Sequence, residues 1–151
     1  LEVRIEATFG DVTLRGIIDR LERNTDGKLV ITDYKTGRAP GPSFEKKALA
    51  GVHFYALLCQ REFSEDAAEL RLMYVKSSQT ISARPTNKTI SFVEQRLTAV
   101  HNAISQACES GQFTTRKSAL CNFCSFRTWC PEFGGDPQVA LVEAPRRPSE
   151  S

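Results

Sequence analysis

Residues 29–37 read Leu-Val-Ile-Thr-Asp-Tyr-Lys-Thr-Gly, and this stretch decides the fold that we expect. Its first half is apolar without alternation, which is typical of a central strand buried on both faces. The chain then turns at Thr36-Gly37, where glycine permits a sharp change of direction. Because successive strand side chains alternate between faces, Asp33 and Lys35 are predicted to project to the same side of this strand.

The residues before this strand predict an antiparallel start. Apolar and polar residues alternate from Leu1 to Phe9, which indicates a half-buried strand. A turn at Gly10-Asp11 leads into a return strand over Val12 to Leu21, and residues 24–27, Asn-Thr-Asp-Gly, indicate a second turn. The first three strands are therefore expected to form an antiparallel meander.

The residues after this strand predict alternating helices and strands. A loop rich in glycine and proline covers residues 36–42, and one apolar face at helical spacing predicts a helix from about Ser43 to Gln60. Two more strands are expected at Leu70–Val75 and Thr80–Arg84. Ser91 and Glu94 have capping-box spacing, and the helix behind them is predicted to stop at Gly111. The fold class is therefore a mixed α/β fold.

Composition is that of an ordinary soluble domain, with 40% hydrophobic and 25% charged residues. The formal net charge of +2 predicts that any nucleic-acid surface is local. No apolar run approaches the ~20 residues that span a bilayer, and no signal-peptide pattern is present, so we expect a cytoplasmic protein without a membrane partner. The chain opens in a strand pattern without Met, which suggests a piece of a longer protein.

Two aspartates end neighbouring strand-like runs, Asp19 after Gly16-Ile17-Ile18 and Asp33 in the central strand. Carboxylates and backbone carbonyls are the hard oxygen ligands that Mg²⁺ and Mn²⁺ prefer. We expect the two carboxylates and the carbonyl of Tyr34 to hold such an ion, which would activate a water molecule for attack on a phosphodiester. The Lys35 ammonium would stabilise charge on the phosphate or position the attacking water.

These residues carry a family resemblance. Gly-x-x-Asp at 16–19 followed by Asp-Tyr-Lys-Thr-Gly at 33–37 resembles the second and third motifs of RecB-type nucleases in the PD-(D/E)XK superfamily. The resemblance covers roughly residues 1–133. It implies a restriction-endonuclease-like core, a mixed β-sheet flanked by helices, with metal at Asp19, Asp33 and the Tyr34 carbonyl and with Lys35 catalytic. It also implies a DNA exonuclease that works with a helicase domain or subunit in DNA repair and recombination.

Two departures from the family pattern leave an alternative open. The family carries Gln-x-x-x-Tyr on the next helix, and Tyr55 matches its tyrosine as a fourth catalytic candidate, but Gly51 stands where glutamine would be. His53 is two positions off and is expected on the helix surface or in packing. The family histidine that precedes the first strand is not in this chain. The alternative is a non-catalytic DNA-binding or scaffold domain; Glu6, a weaker candidate for the metal site, is expected to face solvent.

A cysteine cluster, Cys121-x2-Cys124-x5-Cys130, lies near the end of the chain. Such spacing is typical of thiolates around one soft metal centre, although structural zinc normally needs four ligands. Cys108 is a weak candidate for the fourth, because its helical stripe predicts burial. In RecB-like nucleases of the AddB and AdnB types, similar cysteines join an upstream cysteine around a [4Fe–4S] cluster. The resemblance therefore implies iron–sulfur ligation, with zinc or free thiols as alternatives.

Candidate DNA contacts near the carboxylates are basic, because Lys and Arg supply most phosphate contacts. They are Arg20, Arg38, Lys46 and Lys47. In the cysteine-rich segment 114–133, basic and aromatic residues interleave, a pattern that suits stacking on unpaired bases, although an aromatic mini-core is the favoured interpretation. Residues 134–151 lack periodicity and are expected to be a disordered tail or linker.

Overall fold

The structure of the chain, a computed structural model, describes residues 2–143. This part of the chain divides into two compact units, and the division falls after Asn102. The single domain expected over residues 1–133 therefore contains residues of both units. The strands are β1 Val3–Phe9, β2 Val12–Ile18, β3 Arg20–Arg23, β4 Leu29–Lys35, β5 Glu69–Tyr74 and β6 Gln79–Ala83. The helices are α1 Glu45–Phe63, α2 Asn87–Ser110 and α3 Pro137–Glu143.

The first three predicted strands pair antiparallel in chain order, but they lie in two separate sheets, β1-β2 and β3-β4-β5-β6, and do not form one meander. β1 and β2 pair antiparallel, with Val3 opposite Ile18, and β3 pairs antiparallel with β4, with Arg20 opposite Thr32. The predicted return strand Val12–Leu21 is therefore interrupted by a bend at Asp19 and continues to Arg23. The chain bends there because it leaves its pairing with β1 and begins its pairing with β4.

The remaining strands complete a mixed sheet in the order β3-β4-β5-β6. β4 and β5 are parallel, and α1 makes the crossover that parallel neighbours require. β5 and β6 pair antiparallel. Antiparallel and parallel strands flanked by helices confirm the mixed α/β class, and the arrangement is consistent with a restriction-endonuclease-like fold.

The core of the first unit lies between α1 and the strands. Leu29 to Asp33 in β4 are all buried, which confirms a central strand. Leu57 and Leu58 of α1 and Leu70 and Leu72 of β5 are completely buried. Burying each such side chain contributes about 1.5–3 kcal/mol, so this contact fixes α1 over the sheet.

Gly16 sets how closely α1 approaches β2. A Cβ at this position would lie 2.7 Å from Leu58 Cδ1 and 2.9 Å from Tyr55 Cε1, distances that real Cβ atoms essentially never show. The missing side chain therefore leaves room for the Tyr55 ring against the strand. This contact gives the glycine of the Gly-x-x-Asp motif a packing role that periodicity alone did not show.

The start of α2 differs from the prediction, and the capping box at Ser91 and Glu94 is wrong. The Thr86 N–H donates to Thr89 Oγ1 at 2.8 Å, and the Thr89 N–H donates to Thr86 Oγ1 at 3.2 Å. This reciprocal pair caps the helix one turn earlier, and Ser91 lies inside it. The predicted end is confirmed, because Ser110 is the last helical residue and Gly111 has a φ of +68°.

The second unit contains short 3₁₀ turns and α3. The turns span Ala119–Phe123, Arg127–Trp129 and Pro131–Phe133. Residues 137–143 of the expected linker are helical, because the Asp136 carboxylate accepts a hydrogen bond from the Gln138 N–H at 2.8 Å and Pro137 occupies the first helical position. The rest of the expected tail, 144–151, lies outside the described residues.

Between residues 2 and 143, no helix is both long and apolar enough to cross a membrane.

Candidate active site

Asp33 lies at the buried end of the apolar run in β4. Its Oδ2 atom is buried and makes no hydrogen bond within the described part of the chain. Lys35 Nζ lies 2.7 Å from this oxygen, which is the distance of an ion pair, but without the angles of a hydrogen bond. A buried carboxylate oxygen is costly unless it is fully paired. Asp33 therefore has capacity for a further cation.

Asp19 reaches the same edge of β4 from the bend between β2 and β3. Its Oδ2 accepts a hydrogen bond from the Tyr34 N–H at 2.7 Å. The N–H and C=O of one strand residue point toward the same neighbour, so the Tyr34 carbonyl also faces the Asp19 side of β4. Two carboxylates and a carbonyl are the donor set that Mg²⁺ and Mn²⁺ prefer, and these residues fit such an ion.

Electrostatic coupling places Lys35 and Tyr55 at the same site. The contact with Asp33 raises the pKa of Lys35 above its usual value, partial burial opposes this, and the charge of Asp19 adds to it. Burial raises the pKa of Tyr55, and the charges of Asp33 and Asp19 raise it further. Because Coulomb interactions weaken with distance, the four side chains form one cluster. At neutral pH Lys35 is a cation and Tyr55 retains its hydroxyl proton.

Gly51 of α1 stands where the resemblance to RecB-type nucleases predicts a glutamine. Gly51 is exposed, and nothing lies within 4 Å of the position that its Cβ would take. His53 Nδ1 lies 2.8 Å from the Leu49 carbonyl oxygen, so it contacts the backbone of its own helix, as expected for a surface or packing residue. Gly51 therefore places no side chain at this position, although the surrounding space would accept one.

The predicted DNA-contact residues fall into two groups. Arg20 is already engaged, since its guanidinium donates to the Glu22 carboxylate and, at 3.4 Å, to the Tyr34 hydroxyl. The other three are exposed in the loop after β4 and at the start of α1, namely Arg38, Lys46 and Lys47. Their contact with DNA stays a prediction.

The first strand carries the remaining carboxylate candidate. Glu6 is exposed and pairs with Arg15 at 2.6 Å. This matches the solvent-facing role expected for Glu6, which is held in an ion pair on the surface of the β1–β2 ribbon.

The three cysteines of the segment 114–133 are not gathered around one point. Cys121 Sγ accepts a hydrogen bond from the Ser118 N–H at 3.3 Å, Cys124 is exposed, and Cys130 is half-buried. Among residues 2–143, no three or more His, Cys, Asp or Glu side chains are grouped as a metal centre. The predicted burial of Cys108 is wrong. Cys108 is exposed, and so is Ile104 on the same helical stripe.

The aromatic residues of this segment form only part of a mini-core. Phe126 and Trp129 pack with their rings 6.1 Å apart, and Arg127 lies 4.5 Å from the Phe133 ring centre. Phe123, in contrast, is 87% exposed. Aromatic packing therefore involves the residues after Cys124 and leaves Phe123 in solvent.

Comparison with known proteins decides the family. A family model described as the PD-(D/E)XK nuclease superfamily matches residues 1–131. The chain belongs to this superfamily. Superfamily members are generally nucleases and typically use divalent metals, which agrees with the oxygen donors at Asp19 and Asp33.

Two similar proteins extend this comparison. The Gene 69 protein of Mycobacterium phage L5 is 26% identical over 136 residues, which cover 88% of this superfamily member and 44% of the phage protein. The chain thus spans less than half the length of that relative. The crystal structure of SSO0001 is similar over 87% of this chain and 59% of its own, with a TM-score of 0.49 and 18% identity.

Proposed function

We propose that this chain is a Mg²⁺- or Mn²⁺-dependent DNA nuclease domain that hydrolyses phosphodiester bonds. The observation that carries the proposal is the buried Oδ2 of Asp33, which forms an ion pair with Lys35 but makes no hydrogen bond and lies on the edge of β4 that Asp19 reaches. Membership of a superfamily of nucleases supports the same reaction class. The two carboxylates and the Tyr34 carbonyl are the residues that would hold the metal.

The residues of the chain have separate tasks in this reaction. When bound, the metal ion supplies a polarised phosphoryl oxygen and a water of lowered pKa. The Lys35 ammonium stabilises negative charge on the phosphate or positions the attacking water. The raised pKa of Tyr55 keeps its hydroxyl protonated, so it serves as a hydrogen-bond donor to the substrate.

The finer assignment is exonuclease action linked to a helicase in DNA repair and recombination. It is supported by the resemblance of the Gly-x-x-Asp and Asp-Tyr-Lys-Thr-Gly motifs to those of RecB-type nucleases.

The [4Fe–4S] assignment for Cys121, Cys124 and Cys130 is likewise supported by spacing and resemblance. It requires a fourth cysteine upstream of this chain. In a longer protein that carries this cysteine, Cys124→Ser should abolish visible cluster absorbance and lower the melting temperature. Zinc in place of iron in elemental analysis would contradict it.

One observation favours a second candidate, a DNA-binding or scaffold domain without catalysis. Gly51, four residues before Tyr55 on α1, supplies no side chain where RecB-type nucleases carry a glutamine. A nuclease that lacks this amide would have lost one polar contact to its substrate or metal.

Cleavage assays separate the two candidates. End-labelled DNA should be cut by the wild-type chain with Mn²⁺ and not in EDTA. Asp33→Ala and the isosteric Asp33→Asn should each lose about 10³-fold or more in rate, since metal assistance contributes several kcal/mol to the transition state. DNA binding should be equal or tighter in both, because an anionic charge is gone. Cleavage that persists in the variants contradicts the proposal, and wild-type binding without cleavage favours the scaffold.

A further inference from the structure

The edge of β1 that faces away from β2 has no strand beside it. β1 and β2 form a two-stranded sheet, and among residues 2–143 no further strand pairs with β1. The pairing with β2 runs one to one from Val3 opposite Ile18 to Phe9 opposite Val12, without a bulge. Proteins commonly block such an edge with proline, lysine or a bulge, because it is a template for another strand. β1 contains none of these.

The turn between β1 and β2 shows which backbone groups this edge presents. Gly10, the first of the two turn residues, has a φ of +57°, and the second has no positive φ, which is typical of a type II′ turn. The two strand residues that flank such a turn exchange backbone hydrogen bonds. Because hydrogen-bonded residues alternate along an antiparallel strand, the N–H and C=O groups of Arg4, Glu6 and Thr8 point away from β2. Among the described residues they have no backbone partner in another element.

The side chains along this edge carry charges of alternating sign. Arg4 and Glu6 are both exposed, and because they lie two residues apart they point to the same face of the strand. Arg4 forms no ion pair within residues 2–143. Glu6 Oε2 pairs with Arg15 Nε of β2 at 2.6 Å. A carboxylate can accept several hydrogen bonds, so Glu6 has capacity for a second guanidinium group.

Two copies of β1 match these charges when they pair antiparallel about Ile5. Arg4 of each copy then lies opposite Glu6 of the other, as a hydrogen-bonded pair. The next register on either side places two Arg4 or two Glu6 side chains opposite each other, and like charges in that position destabilise a sheet. On the other face Val3 lies opposite Ala7, so apolar side chains meet. The charges therefore favour the register centred on Ile5 over both of its neighbours.

We propose that the free edge of β1 is a dimerisation edge, and that its occupant is β1 of a second copy of this chain. Each Glu6 carboxylate then lies between Arg15 of its own chain and Arg4 of the second copy. The interface is symmetric, so every contact occurs twice. Both the backbone groups and the charges of this edge are satisfied by the same register. The association does not depend on the reaction proposed at Asp33.

Sedimentation equilibrium of the intact chain over a wide range of concentrations tests the association. The wild type should be a monomer–dimer mixture in which the dimer fraction rises with concentration. Arg4→Glu and Glu6→Arg each place like charges at both symmetry-related pairs, so each should raise the dimer Kd at least about tenfold. The matched control is Arg96→Glu, the same charge reversal at an exposed α2 position, which should leave the Kd unchanged. Circular dichroism checks that every variant is folded.

A mixture of the two variants tests the register itself. The Arg4→Glu chain carries two carboxylates along the edge and the Glu6→Arg chain carries two guanidinium groups, so a mixed dimer has opposite charges at every pair. Native mass spectrometry separates the mixed dimer from both homodimers by mass. In an equimolar mixture the mixed dimer should be in clear excess over both homodimers.

Amide hydrogen exchange locates the interface. The N–H groups of Arg4 and Glu6 should become protected as concentration rises, whereas those of Ile5 and Ala7, which bond to β2, should be protected at every concentration. Three results would each overturn the proposal: a wild type that stays monomeric, a mixed dimer no more abundant than the homodimers, and dimerisation without protection at Arg4 and Glu6. Dimerisation of a chain that does not cleave DNA would support the proposal and refute the nuclease function.

Discussion

The carboxylate cluster and the cysteine segment are both marked by short sequence motifs, yet the structure treats them differently. Asp19, Asp33 and Tyr55 come from three separate elements and converge at one edge of β4. Cys121 lies in the 3₁₀ turn Ala119–Phe123, Cys124 directly follows this turn, and Cys130 lies between the next two turns. Cys124 is exposed. A motif becomes a site when long-range packing brings its members together, and spacing alone does not do this.

The forces that hold the two regions also differ. The carboxylate cluster rests on a buried core in which α1 packs over β4 and β5. The cysteine segment is held by local backbone hydrogen bonds between residues three apart in the chain. Examples are the Cys124 N–H to the Cys121 carbonyl at 3.3 Å and the Cys130 N–H to the Arg127 carbonyl at 3.2 Å. The predictions below test this contrast and the packing behind it, from the largest expected effect to the smallest.

The first concerns Lys35, whose charge is held at the cluster by Asp33. Lys35→Ala should reduce the cleavage rate by about 10²- to 10³-fold, the usual cost of removing one group that stabilises transition-state charge. Metal affinity should change far less, because lysine is not a ligand. Single-turnover kinetics with saturating Mn²⁺ measure the rate. A variant that cuts as fast as the wild type removes lysine from the mechanism.

The second compares thiols in the two regions. Burial raises the pKa of Cys59 to about 11, whereas Cys124 is exposed. At pH 8 Cys59 should react with a thiol reagent at least about 10²-fold more slowly than Cys124, because only the accessible thiolate reacts. Mass spectrometry of the labelled peptides measures both rates, and comparable rates would show that the core opens as readily as the cysteine segment.

The same thiol gives a pH dependence of known sign. A pKa raised by folding means that its stabilisation is complete below the unfolded value near 9 and is lost as pH rises through about 11. The raised pKa values of Lys35 and Tyr55 act in the same direction. Urea unfolding should therefore show lower stability at pH 10.5 than at pH 8.

The third addresses the close approach of α1 to β2. Gly16→Ala places a methyl group against Tyr55 and Leu58 and should lower the free energy of unfolding by about 1–3 kcal/mol, the range for overpacking. Cleavage should fall as well, because Tyr55 is displaced. The control is Gly41→Ala, where the added carbon meets open space. Equal stability of the two variants would show that α1 can move away at no cost.

The fourth uses the empty glutamine position. Gly51→Ala should raise the free energy of unfolding by about 0.5–1 kcal/mol, because glycine is unfavourable within a helix. Gly51→Gln should stabilise to a similar extent and also increase the cleavage rate relative to Gly51→Ala. If the two variants cut equally, the amide has no role in this chain.

Periodicity was sufficient for the elements that set the cluster. The apolar run of β4 predicted a buried strand with Asp33 and Lys35 on one side, and the ion pair between them agrees with this. The bend at Asp19 was not predictable, because it depends on a change of pairing partner.

Other predictions were wrong where a local sequence pattern is compatible with two structures. Cys108 continues an apolar stripe, but a stripe does not show whether anything covers it, and the residue is exposed. Thr86 and Thr89 cap α2 although Ser91 and Glu94 fit the usual capping pattern better. Asp136-Pro137 is a helix start signal in a segment that otherwise lacks periodicity.

The central claim is that Asp19 and Asp33 form a divalent-metal site, and a calorimetric titration of the chain with Mn²⁺ tests it most directly. The wild type should bind Mn²⁺ saturably, and Asp33→Ala, measured alongside it, should not. Absence of binding in the wild type, or equal binding in both proteins, would contradict the account.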